Sequence, residues 1–162
     1  MIRGLLLSAC LLLLCACASQ APLPESSPHL PLPLQLHIQR EQGEQRQDWL
    51  LVIQREDASL RWSLMDPLGI PVARQRLSGG TWQADGFLPP NPQARELFAA
   101  LLFALTPANE LPGNYPAAQV QSGQRTLGTR WRVEYRQPKV FSVRLEQGLS
   151  YHVSPLNDEV TP

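Results

Sequence analysis

From residue 32 onward the chain is patterned mostly with a period of two. Leu32, Leu34, Leu36 and Ile38 alternate with Pro33, Gln35, His37 and Gln39, which predicts a strand with one apolar face. The polar stretch 41–47, with Gly43, predicts a hairpin turn. The apolar run 49–54 predicts a strand covered on both faces. Ser59–Met65 alternates again, with Leu60, Trp62 and Leu64 on one side. Asp66-Pro67-Leu68-Gly69 has the chemistry of a turn, because proline presets φ and glycine tolerates positive φ. A strand at 70–77, a turn at Ser78-Gly79-Gly80 and a short strand at Thr81–Ala84 complete a meander of antiparallel neighbours.

The period then changes. Asn91 is a good N-cap and Pro92 suits the first helical position. Leu97, Phe98, Leu101, Leu102 and Leu105 form a helical stripe that Thr106-Pro107 ends. Ala99, Ala100, Phe103 and Ala104 fill much of the other side, so 97–105 carries no charge. A helix apolar nearly all round must be covered nearly all round, which places it against the concave face of a sheet. After a loop at 107–116 rich in Pro, Gly and Asn, strands resume. Thr129, Trp131, Val133 and Tyr135 alternate with Arg130, Arg132, Glu134 and Arg136, and strands at 140–145 and 149–153 flank a turn at Gln147-Gly148. The expected fold is α+β, a strongly curved antiparallel sheet of roughly eight to eleven strands wrapped around one main apolar helix.

Composition narrows the chemistry. The chain has 162 residues, enough for one domain with a real core, and 14 basic residues balance 14 acidic ones. That balance excludes the basic footprint of a nucleic-acid binder. Lys139 is the single lysine, and it follows no glycine-rich strand-to-helix turn, so no phosphate loop forms. Gly148-Leu149-Ser150-Tyr151-His152 lacks the final glycine of a nucleophile elbow, and the two-residue spacing of Ser150 and His152 points their side chains in parallel. His29, His37 and His152 have no partner four residues away and read as isolated surface histidines rather than metal ligands. Glu56-Asp57 and Asp158-Glu159 read as solvated charges. The Arg130, Arg132, Arg136 row reads as the outer face of a strand, with lipid phosphates or an acidic partner as the alternative. Trp49, Trp62, Trp82 and Trp131 suit either a packed core or a ligand cavity. Neither a cofactor nor a metal is expected.

The N-terminus reads as an address. Met1-Ile2-Arg3 is a short positive region, and residues 4–16 are apolar, about 13 residues against the roughly 20 of a spanning helix. Leu14-Cys15-Ala16-Cys17 resembles a bacterial lipobox, which implies cleavage before Cys17 and acylation of that residue. Leu7-Ser8-Ala9-Cys10 also fits but leaves only three leucines before the cut; the competing reading is a buried N-terminal helix of a cytosolic protein. Two or three acyl chains anchor stably where one holds only marginally. All three cysteines, Cys10, Cys15 and Cys17, lie here, so the folded body has neither a disulfide nor a multi-cysteine metal site. Ala18-Ser19 lacks the aspartate that resembles an inner-membrane retention signal, so the expected location is the outer membrane, facing the periplasm. The expected division is a signal peptide at 1–17, a tether at 18–29 that holds the first of the prolines running from Pro22 to Pro33, a domain at 30–156 and a tail at 157–162.

Taken in order, the lipobox, the meander, the Asp66-Pro67-Leu68-Gly69 turn, the strand leading to Leu77-Ser78-Gly79, the helix and Trp131-Arg132-Val133-Glu134-Tyr135 resemble the LolB family of outer-membrane lipoproteins. The resemblance covers roughly residues 30–156 and is closer to an uncharacterised LolB-like group placed in gene clusters for aryl polyene or fatty-acid-type lipids. It implies an open, incomplete barrel whose hydrophobic concavity is covered by helices. It also implies lipoprotein cargo received from a LolA-like periplasmic carrier, and an exposed leucine in the turn that enters the bilayer. The matching residue is Leu68; the competing reading folds it back on a strand. The family's second helix and Trp-rich segment have no counterpart in the short stretch 106–115.

Three functions are thus in view. The first is a monomeric acyl-chain binder without catalysis, gated by opening of the helix over 93–105. Its lining would comprise Leu34, Leu36 and Phe141, then Trp62 with Leu64, Leu97 with Leu101, and Trp131 with Val133. The second is a non-transporting scaffold lipoprotein of an envelope assembly, with side chains filling the concavity. The third, an enzyme, needs a buried polar constellation that the sequence does not display. A filled interior favours the scaffold.

Overall fold

The computed structural model describes residues 20–156. Ten strands form one antiparallel sheet: β1 (Leu34–Gln42), β2 (Gln45–Glu56), β3 (Ser59–Met65), β4 (Pro71–Ser78), β5 (Thr81–Ala84), β6 (Ala118–Gln121), β7 (Gln124–Leu127), β8 (Trp131–Gln137), β9 (Val140–Arg144) and β10 (Leu149–Pro155). Between β5 and β6 lie the helix α1 (Pro92–Leu105) and one helical turn, α2 (Leu111–Asn114). The spatial order is β5-β4-β3-β2-β1-β10-β9-β8-β7-β6, so the sheet is open, with β5 and β6 as its edges. The chain lays down the first half outward from β1, crosses by α1 to the far edge, and works back until β10 pairs with β1 from Leu36↔Pro155 to Gln42↔Leu149. Register shifts at Leu64/Met65 and at Tyr135/Gln137 add bends of the kind that help a sheet curl.

The alternation in the sequence becomes the two faces of this sheet. Leu34, Leu36 and Ile38 of β1, Leu60, Trp62 and Leu64 of β3, and Trp131 and Val133 of β8 are buried on the concave face. α1 fills that face, with Phe98 5.3 Å from Trp62 and Phe103 5.8 Å from Trp131 between ring centroids. The curved open sheet around one main helix is therefore the architecture that the patterning predicts. Among the described residues no helix is long and apolar enough to cross a membrane.

Three details differ from the sequence reading. The run 49–54 is covered on one face only: Leu51 and Ile53 are buried, but Leu50 and Val52 are half-exposed, because a single-layer sheet has its helix on one side. The hairpin expected over 41–47 is much tighter, with β1 and β2 paired out to Gln42↔Gln45 across Gly43 and Glu44. Gly43 there has φ +59°, a conformation that suits glycine. The strands β6 and β7, two short polar strands, had no apolar alternation to announce them.

The stretch expected to stand off as a tether lies instead on the body. Ala21, Leu23 and Leu32 pack against the core, and Leu30 is part of it. Ser26 donates its amide and its hydroxyl to Asn114 Oδ1, both at 2.8 Å. The His29 amide donates to Glu110 at 3.1 Å. Prolines make the segment extended; the Asn114 side chain, itself buried, gives it somewhere to dock.

Candidate functional site

The seat and its occupant are built from opposite patterns. The sheet supplies a greasy trough; α1, about 21 Å long, supplies a cylinder that is uncharged from Leu97 to Leu105 and carries Arg95 and Glu96 in its first two turns. Among the described residues, side-chain polar contacts hold α1 at its two ends. At the start, Asn91 Oδ1 accepts from the Ala94 amide at 3.0 Å. One turn on, Glu96 accepts from Arg130 Nε and Nη2 at 2.8 and 2.6 Å and from Trp131 Nε1 at 2.7 Å. Burial pushes the Glu96 carboxyl up, but the hydrogen bonds from Arg130 and Trp131 and the Arg130 charge outweigh it and hold the carboxyl below its usual range.

At the other end, helix carbonyls have no intrahelical donors. Arg125 Nη1 reaches Thr106 O at 2.6 Å and lies 3.3 Å from Ala104 O. Tyr135 donates its hydroxyl to Ala104 O at 2.7 Å, and Thr106 Oγ1 to Leu102 O at 2.7 Å. A cation here also meets the negative end of the helix dipole. Burial raises the Tyr135 phenol to about 12, against the pull of the Arg125 charge, so it stays a donor at neutral pH.

A buried cation sits under the foot of α1. Arg40, only 7% exposed, donates to Gln42 and, with the Gln93 amide turned so that its oxygen faces the guanidinium, to that oxygen at 3.2 and 3.1 Å. Among the described residues no carboxylate lies within ion-pair distance of it, which is unusual for a buried charge.

The nine residues expected to line a cavity, Leu34, Leu36, Trp62, Leu64, Leu97, Leu101, Trp131, Val133 and Phe141, all fall in one continuous core. Side chains of α1, Phe98 and Phe103 among them, lie in the same core and pack against Trp62 and Trp131. Hollows open elsewhere. One of about 600 Å³ lies beside the C-terminal end of α1, between Thr106, Arg125, Tyr135 and Val120. Another, of about 570 Å³, lies where Gln20 and Ala21 cross between Trp82 and Arg130. A third, of about 470 Å³, lies beside the Glu96–Arg130 clamp, and a fourth, of about 350 Å³, lies around Ser142 and His152 and is bordered by Phe141. None of the other eight residues borders these four hollows.

The turn at Leu68 is built by Asp66, whose carboxylate accepts from the Leu68 and Ile70 amides at 2.9 and 2.8 Å. Gly69 takes φ +82° and returns its amide to Asp66 O. Leu68 does not fold back: it stands 85% exposed, with Ile70 at 58%. Against known families, the chain matches over residues 34–156 the family described as a protein of unknown function (DUF3261). The chain belongs to the DUF3261 family. No curated protein matches it.

In this DUF3261 chain several partners were invisible to sequence reasoning. Ser150 and His152 do not pair; His152 instead bridges strands, with Ser142 Oγ 2.9 Å from Nδ1 and Glu41 Oε2 3.0 Å from Nε2. The row has the order of a serine–histidine–acid triad, but it lies on the convex face in a paired ladder, where backbone amides are spent on neighbouring strands. Arg130 leaves the expected arginine row and turns to Glu96, while Arg132 and Arg136 stay exposed. Arg40, Glu96 and Arg125 each look like an ordinary surface residue in one dimension. Their signal was a charge placed in or beside an apolar pattern. Among the described residues no group of three or more His, Cys, Asp or Glu is placed to hold a metal ion. Cys17 lies outside the described residues.

Proposed function

We propose that the protein is an outer-membrane lipoprotein, anchored through Cys17 on the periplasmic side. In this reading it binds acyl chains of a lipid or lipoprotein cargo and helps place them in the membrane, without making or breaking a bond. The resemblance to LolB supports the cargo class and a LolA-like donor. The observation that carries the reading is α1: a helix uncharged from Leu97 to Leu105, lying in the trough of an open sheet, with its polar clamps at its two ends. The helix acts as the seat's own occupant, and cargo replaces it.

The magnitudes permit this exchange. Leu97, Phe98, Leu101, Leu102 and Phe103 are fully buried, and each such side chain gains about 1.5–3 kcal/mol by burial. A long acyl chain gains about 0.8 kcal/mol per methylene, a similar total. Helix and guest are thus near balance, with the end clamps setting which wins. Arg40 favours a guest with an acidic head, since it offers a buried guanidinium whose partners, Gln42, Gln93 and the Tyr151 hydroxyl, are neutral. Leu68, on a turn with no core to join, serves as the tip that meets lipid.

The test is titration of the delipidated C17S protein with a fluorescent fatty acid. Saturable binding, tightened by Arg125→Ala, supports the reading; no binding by either protein sinks it. The filled trough favours a second reading, a scaffold lipoprotein that carries no cargo. That reading stands if neither protein takes up the probe while the anchored protein still co-purifies with envelope proteins.

A further inference from the structure

We propose that the β4–β5 edge of the sheet, with the loops at its ends, is the face that lies on an anionic phospholipid surface. The inference rests on the anchoring of Cys17 proposed above. Three separate features converge on this edge.

The first is where the chain leaves the body. The tether is docked, and at its start Gln20 lies in the hollow bordered by Gly80, Thr81 and Trp82, beside β5. Only Ala18 and Ser19 separate Gln20 from Cys17, a reach of about 10 Å even when fully extended. Acyl chains on Cys17 therefore bring the bilayer close to this end of β4–β5. The sixteen residues between the anchor and β1 do not act as a long leash.

The second feature is exposed apolar surface. Leu68 and Ile70 stand at the opposite end of β4, about 23 Å along the strand. Phe87, fully exposed, lies in the loop that returns from β5 alongside β4, where Leu88 and Pro89 share a crevice with Ala73 and Arg74. A membrane touching both the chain exit and the Leu68 tip has to run along this edge and past Phe87. Aromatic and aliphatic side chains in such positions suit the headgroup boundary.

Charge is the third. On the convex side of the edge, Asp85 gathers Arg61 Nε at 2.8 Å, Arg76 Nη2 at 3.1 Å and Arg74 Nε at 3.7 Å. Arg61 also meets Glu56. Three guanidinium groups thus face two carboxylates, which leaves a positive surplus, and Arg74 and Arg76 remain partly open to solvent. The buried carboxylate holds the arginines side by side, and their outer donors fit lipid phosphate.

The experiment uses the acylated protein in vesicles of phosphatidylethanolamine and phosphatidylglycerol. An environment-sensitive fluorophore is placed on Phe87→Cys, or on Gln35→Cys in mid-sheet, with nitroxide-labelled lipids as quencher. Mass analysis of the N-terminal peptide reads acylation of Cys17 independently. The expected result is quenching several-fold stronger at 87 than at 35, weaker in phosphatidylcholine vesicles. Arg74→Gln with Arg76→Gln reduces it, and lysine at both positions restores it. An acylated protein with equal quenching at the two positions, or stronger quenching at 35, overturns the inference and leaves the anchoring intact. A protein with no acyl group on Cys17 overturns both.

Discussion

Glu96 shows how a single carboxylate couples α1 to the sheet. Its folded pKa is depressed, so its contribution to stability is present above the ordinary carboxylate range and is lost as pH falls through the folded value. Urea unfolding followed from pH 6 to pH 3 is expected to show a steeper loss for the native chain than for Glu96→Gln, with the difference developing below about pH 4.5. A pH profile unchanged by the substitution would remove Glu96 as the pin. At the other end, Arg125→Ala strips charge-assisted bonds from the last helix carbonyls and is expected to cost about 2 kcal/mol of stability, read from the urea midpoint. Ser142, by contrast, is expected to stay unlabelled by a fluorophosphonate probe, because the convex ladder provides no oxyanion donors; labelling at Ser142 would make it a nucleophile after all. None of these three roles was legible in one dimension. Glu96 and Arg130 are 34 residues apart, and Ser142 acquires His152 only through strand pairing.

At the scale of elements, α1 and the docked tether form one unit around the core. Leu101 is fully buried, so Leu101→Ala is expected to destabilise by about 2–5 kcal/mol, whereas Leu68→Ala, at an exposed turn, stays within about 0.5 kcal/mol; thermal unfolding separates the two. Asn114 ties Ser26 to α2, and Asn114→Ala is expected to free residues 21–30 before the sheet opens, seen as faster amide exchange in that segment and over α1. Uniform exchange across the chain would show that the tether is not a separate layer. The strands β1, β3, β4 and β8 were legible because one face is buried and the other wet, which writes period two into the residues. The same logic hid β6, which is mostly exposed, and β7, half-buried but polar except for Leu127, and led the run 49–54 to be read as covered on both sides.

The whole molecule joins a trough, a plug and an anchor on one chain. If cargo competes with α1, Leu68→Glu is expected to leave uptake of a fluorescent fatty acid within about twofold of the parent, since the turn lies away from the core, and to slow delivery into vesicles markedly. Equal loss of uptake and delivery would place Leu68 in the binding step instead. Net charge zero carries little information here, because Arg61, Arg74 and Arg76 outnumber Asp85 and Glu56 on one edge, while Glu41 and Glu134 are each paired with an arginine elsewhere on the sheet.

The residue order alone determined the antiparallel sheet, the place and caps of α1, the turn at Leu68 and the need to cover an uncharged helix, because each follows from local periodicity or from the conformational limits of Pro, Gly and Asn. Only the tertiary structure decided that α1 fills the trough, that the proline-rich stretch docks on Asn114, that Arg40 is buried beneath the helix, and that the arginines of β3 and β4 share Asp85. Those outcomes depend on volume and on contacts between distant residues, which hydrophobic periodicity does not encode.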